Sequence, residues 1–263
     1  MTVREPSETS PLKRSRESAW MRFLRWVDER ADSTWIFRGH SNRAFELRPA
    51  AGRVKDDSQP AQVLIREKQI FSQFKRQARL HIQYSTSFTL WEWLTLAQHY
   101  GVPTRLLDWT SNPLVAAYFA VAGPPEDRPA RIVAVRLPAA PFVDVDTDEP
   151  FNLSGVHFLD APAVAPRVAS QSGLFSVHPR PYESWTVPDA LLDRFDIQAN
   201  LKEEFRDRLC GMGIHAASIW GDLQGLGEHL RWHLSSGHPF PADGAGTIIQ
   251  VPEAGTPESG TAA

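Results

Sequence analysis

Arg38 ends a short apolar stretch, Thr34–Gly39 (TWIFRG), and is followed by Gly39 and His40. A guanidinium near a strand end, beside a glycine, can reach into a cleft and grip a phosphate or carboxylate with two parallel hydrogen bonds. Further on, Arg105 and Asp108 interrupt the otherwise apolar run Thr104–Trp109, and Thr110, Ser111 and Asn112 follow as three successive helix-cap candidates before Pro113. Arginines with hydroxyls suit the phosphates and ribose of a nucleotide. The positive end of a helix opening after Asn112 suits an anion. The plain structural alternative is that Arg105 and Asp108 form an ion pair tying a strand to its neighbours, and that Asn112 is only a cap.

The elements that must position these groups are best marked between Leu96 and Ala122, LAQHYGVPTRLLDWTSNPLVAAYFAVA. A helix over Leu90–Tyr100 closes at His99–Tyr100, with Gly101 at the left-handed C′ position and Pro103 forbidding continuation. Thr104–Trp109 reads as a strand that bends at its end. From Leu114 to Ala122 the chain is apolar on all sides, which marks a buried helix. Before this stretch, periodicity predicts helices over Ser18–Ala31 and Ala61–Ile82 and a strand over Thr34–Gly39. The basic face of the second helix (Arg66, Lys68, Lys75, Arg76, Arg79) reads as solvated. Beyond it, Arg131–Leu137 and Leu174–His178 read as strands, with Pro141–Val145 a further candidate, while the proline-rich Gly155–Arg167 resists assignment. Leu201–Cys210 reads as a helix, Ile214–Trp220 as a strand, and Leu223–His233 as a final helix capped by Asp222.

Composition bounds the class. The 263 residues are 42% hydrophobic and 22% charged with a net charge of −3, enough for one large core and no general pull toward nucleic acid or anionic membranes. One cysteine, Cys210, excludes an internal disulfide and any multi-cysteine zinc site. No signal-peptide core and no membrane-spanning run stand out, so the expectation is a soluble cytoplasmic protein with no membrane partner. Residues 1–17 read as a disordered arm and 236–263 as a flexible tail around a single domain, 18–235. His229 and His233 are four apart on a predicted helix, but the sequence offers no third ligand, and no metal is expected. No Walker-type loop and no particular Ser–His–Asp set can be singled out.

Phe37-Arg38-Gly39 and the Leu96–Ala122 segment together resemble the FRG domain family, whose members carry an aromatic-Arg-Gly motif and a later segment like HYGVPTRLLDWTSNPLVAAYFA. The resemblance covers residues from about Trp20 to Leu234, and Arg167 and Gln171-Ser172-Gly173 match it too. More distantly, three dispersed elements are similar to ADP-ribosyltransferases. These are Phe37-Arg38-Gly39, the Asp108–Pro113 strand-to-helix passage with Ala116, Tyr118 and Phe119, and Gln171-Ser172-Gly173 before Leu174-Phe175.

That likeness implies an α+β, ADP-ribosyltransferase-like single domain, a mixed sheet with peripheral helices, using NAD as substrate as a transferase or NAD glycohydrolase, in the manner of a toxin or defence effector. It implies Arg38, Asp108 and Gln171 as catalytic residues, and Arg38, Gly39, His40, Arg105, Thr110 and Asn112 as nucleotide-binding ones. Gly173 stands where the transferases place their catalytic glutamate, so either another acid, Asp108 first among the candidates, takes its place, or the domain binds without turnover. The other reading is a non-catalytic module that recognises a polar ligand, a protein or a nucleic acid. The macromolecular target is not legible.

Overall fold

The apolar run after Asn112 does form a buried helix, α4 (Pro113–Val121), and the rest of the molecule is arranged about it. Asn112 Oδ1 accepts from the Leu114 and Val115 amides at 2.9 and 3.4 Å, and Pro113 fills the first turn. Ala116, Ala117 and Ala120 are wholly buried. The computed structural model describes residues 11–53, 59–82, 88–123, 127–160 and 173–237.

Ahead of α4 come α1 (Pro11–Asp28), β1 (Trp35–His40), α2 (Pro60–Ala78), α3 (Leu90–His99) and β2 (Leu106–Thr110). After it come β3 (Ala130–Arg136), β4 (His157–Asp160), β5 (Gly173–Val177), β6 (Leu192–Ile197), α5 (Lys202–Gly211), α6 (Ala216–Trp220) and α7 (Leu223–Ser236). α3 opens on a capping box: Thr89 Oγ1 accepts from the Glu92 amide and Glu92 Oε2 from the Thr89 amide. It closes before Gly101, which takes the left-handed φ of +74° expected of it. No described helix is long and apolar enough to cross a membrane.

The six described strands form one sheet in the order β4-β5-β2-β1-β3-β6, and every described strand pair is antiparallel. The expected mixed sheet is therefore corrected. Both β2 and β3 run opposite to β1, hence parallel to each other, and α4 is their crossover. β1 lies between them, so the parallel strands never pair. β1 and β2 meet at one register position, Phe37 opposite Thr110.

Alternation along the strands separates two faces. On one, α1, α4, α5 and α6 cover the β1/β3/β6 half through a core that includes Phe23, Phe37, Ala116, Ile132 and Phe205. On the same face, α2 and α3 cover the β2/β5/β4 half around Trp91, Leu94, Leu106, Leu159 and Val177. The opposite face packs Ile36, Leu107, Trp109, Val133 and Phe158 against loop residues such as Trp185 and Val187.

Other expectations shift. Ile214–Trp220 is not a strand: Ala216–Trp220 is the short helix α6, capped by His215 and stopped by Gly221 at φ +62°. Pro141–Val145 supplies only an isolated bridge, Phe142 to Phe158. β4 lies in the stretch left unassigned, and β6 had no sequence counterpart.

Candidate functional site

The two helical layers leave a gap over the centre of the sheet, and Asp108 stands in it. Being of the same strand parity as Leu106 and Thr110, it faces the helices, yet neither layer covers it. Its side chain is 55% exposed. The gap is a cavity of about 490 Å³, walled by Gln98, His99 and Gly101 at the end of α3 and by Val115, Ala116 and Phe119 of α4. Arg38, Gly39, His40, Asp108 and Thr110 line it from the sheet, with Arg53 and Phe45 at the loop side and Phe175 and Trp220 completing an aromatic lining. Its volume falls in the range of small-molecule sites, about 300–1,000 Å³.

Arg38 bridges the place where β1 and β2 part. Its Nη1 donates to the Asp108 carbonyl at 2.7 Å and to Asp108 Oδ2 at 3.4 Å, and its buried Nε makes no hydrogen bond among the described residues. Asp108 Oδ2 also accepts from Gln98 Nε2 at 2.9 Å, and Gln98 Oε1 in turn accepts from Thr104 Oγ1 at 2.6 Å. The carboxylate is thus aimed by two donors from different elements. Arg53, exposed at the rim, donates through Nε to the Arg48 carbonyl at 2.9 Å. Desolvation and then the Arg38 charge push its guanidinium below the ordinary pKa, while Asp108 opposes the shift. Two like charges therefore share the cleft.

His40 is buried beside them, and neither ring nitrogen makes a hydrogen bond of ordinary geometry among the described residues. Burial, then Arg38, Arg53 and Arg131, push its pKa down to about 3, the Phe45 backbone only weakly favouring the charged form. On the sheet's opposite face, Ser176 Oγ accepts from Trp109 Nε1 at 2.9 Å and shares a 2.8 Å hydrogen bond with His178 Nε2. His178 is also pushed down to about 3, by burial first and then by Arg38 and Arg105. Both imidazoles are neutral at pH 7 and leave the cleft's positive charge to the arginines.

Of the expected site residues, the structure brings Arg38, Gly39, His40, Asp108 and Thr110 into one cleft. Arg105 is elsewhere. Only 1% exposed, its side chain pairs with Glu67 of α2 at 2.9 and 2.5 Å, donates to the Pro150 carbonyl at 3.1 Å and stacks 4.3 Å from the Phe151 ring. An Arg105–Asp108 ion pair does not form: Glu67, Pro150 and Phe151 engage Arg105, whereas Asp108 is held by Arg38 and Gln98. Asn112 is engaged as the α4 cap and is not a lining residue, so the first amides of α4 already have an acceptor. Gln171 lies outside the described residues. Gly173 pairs with Thr110, so the position where a glutamate was sought lies next to the cleft and carries no side chain.

Arg53 and Gln98 were not anticipated as site residues. Gln98 lies inside a helix whose apolar pattern draws attention elsewhere; its nearness to the TRLLD strand was the available signal.

The FRG domain family model matches residues 33–128, the segment from β1 through α4 that carries both arms of the cleft, and the chain thus contains an FRG domain. No curated protein matches the chain. No solved structure matches it either.

Proposed function

We propose that the cleft binds a nucleotide with a pyrophosphate, NAD being the leading candidate. The observation that carries this reading is unbalanced charge: Arg38 and Arg53 face one another's field, and Asp108 is the sole carboxylate among the described lining residues. A phosphate between the guanidiniums would relieve their repulsion and could accept from Arg38 Nε, which has no partner among the described residues. The aromatic lining offers faces for a base or nicotinamide ring. Asp108, held by Arg38 and Gln98, supplies an acceptor for ribose hydroxyls.

ADP-ribosyl transfer or NAD hydrolysis places positive charge on the ribose as the glycosidic bond breaks, and a nearby carboxylate stabilises it. In this cleft Asp108 takes that role, since Gly173 cannot. Calorimetric titration with NAD, followed by a nicotinamide-release assay, tests both parts. Wild type is expected to give heat of binding that Arg38→Ala loses, and release that Asp108→Ala loses. Binding without release would make the domain a nucleotide-recognition module. Neither heat nor release at millimolar NAD, with the protein folded, would overturn the proposal.

A further inference from the structure

The C-terminal helices bring Cys210 to two histidines that the sequence keeps apart from it. His229 and His233 share one face of α7, and Cys210 stands in the last turn of α5. Cys210 Sγ and one ring nitrogen from each histidine lie within 4.8 Å of one another. We propose that these three groups bind a zinc-class divalent cation, with solvent as fourth ligand.

The donor set decides the class. A thiolate with two imidazoles is a soft-to-borderline set that suits zinc and does not suit magnesium or calcium, which take oxygen ligands. Tetrahedral zinc, with bonds of about 2.3 Å to sulfur and about 2.0–2.1 Å to nitrogen, sets its ligand atoms about 3.3–3.6 Å apart, a small side-chain adjustment from the present spacing. Neighbouring rings orient the histidines. His215 stacks on His229 with centroids 4.0 Å apart and planes 14° apart, and the Trp232 ring lies 5.0 Å from that of His233. His233 is buried, and Cys210 is partly so. On binding, the Cys210 thiol gives its proton to solvent. α7 packs chiefly on α6, so an ion here would cross-link it to α5 as well. Because α6 carries Trp220, the site would also steady one wall of the cleft.

The chain's one cysteine makes the test unambiguous. Tag-free protein stripped with chelator is titrated with Co²⁺ while the near-ultraviolet thiolate-to-cobalt band is followed. One equivalent is expected to saturate the band, Zn²⁺ to bleach it, and Zn²⁺ to raise the melting temperature and slow alkylation of Cys210. Cys210→Ser is expected to lose the band, and His229→Ala to weaken metal binding more than about tenfold. The alkylation rate on wild type decides the matter even if a variant fails to fold. No thiolate band, together with an alkylation rate indifferent to zinc, would overturn the site; so would a Cys210→Ser protein that folds and keeps the band.

Discussion

A methyl group on Gly39 would lie 2.1 Å from the carbonyl oxygen of Ala116 and 2.6 Å from the amide nitrogen of Ala120. The glycine of the Phe37-Arg38-Gly39 motif is therefore the place where the crossover helix rests on β1. It lines the cleft because α4 comes so close there, which ties the two most recognisable stretches of the sequence to each other physically. Gly39→Ala must push α4 off the sheet. Overpacking of this kind costs about 1–3 kcal/mol, read as a lower urea midpoint with an unchanged slope. A variant as stable as wild type would show that α4 yields freely.

The Glu67–Arg105 pair is buried at both ends, the side chains 2% and 1% exposed. Glu67→Leu leaves an uncompensated guanidinium in the core, and a loss of about 3–5 kcal/mol is expected. Adding Arg105→Met removes the stranded charge and should recover most of that loss. Chemical denaturation of the single and double variants checks it; a double variant no better than the single would mean that Arg105 contributes mainly by packing on Phe151.

Arg105 also shows where sequence reading stops. Its strand, the α4 helix and the Asn112 cap were legible because their signals are local: an apolar run, a cap residue, a proline at the first turn. The acid that pairs with Arg105 lies 38 residues away on α2, a distance no periodicity spans. The antiparallel sheet was hidden for a related reason, since inserting β1 between β2 and β3 is a choice of pairing rather than of local shape. β6, LDRFDI, alternates too weakly for a strand signal and takes its structure from β3. Around α6, the largely apolar run Ile214–Trp220 mimics a short strand, and the His215 cap and Gly221 decide otherwise. The cleft was half legible: Arg38 and Asp108 from their chemistry, but not Arg53 and Gln98, whose roles depend on what the fold sets opposite them.

Arg38→Ala should separate binding from stability. The side chain is 15% exposed and its bonds go to the exposed Asp108 and to a strand carbonyl, so folding should change by no more than about 1 kcal/mol. Nucleotide binding should be lost. Parallel calorimetry and thermal melts check this, and a large drop in melting temperature with binding intact would make Arg38 a purely structural residue.

Stability should fall on mild acidification. His40 and His178 have folded-state pKa values of about 3 against an ordinary 6.5, so below pH 6.5 the unfolded chain takes up protons that the folded protein refuses. Their contribution is complete above that pH and is lost progressively as the pH falls toward about 3. Each steepens the decline by up to about 1.4 kcal/mol per pH unit. Urea unfolding at several pH values between 7 and about 5, above most carboxylate titration, measures the slope. His178→Gln should flatten it, and a slope unaffected by either His40→Gln or His178→Gln would contradict the assignment.

The single register pair between Phe37 and Thr110 makes the sheet mechanically uneven. On either side of it stands a three-stranded plate, β4-β5-β2 or β1-β3-β6, stiffened by its own helices, and the compliance of the whole is concentrated along the seam. Arg38 belongs to one plate and Asp108 to the other. A molecule held by both would act as a strut across that seam, so filling the cleft and fixing the tilt between the plates become a single event, with amide exchange at the β1–β2 junction as its gauge.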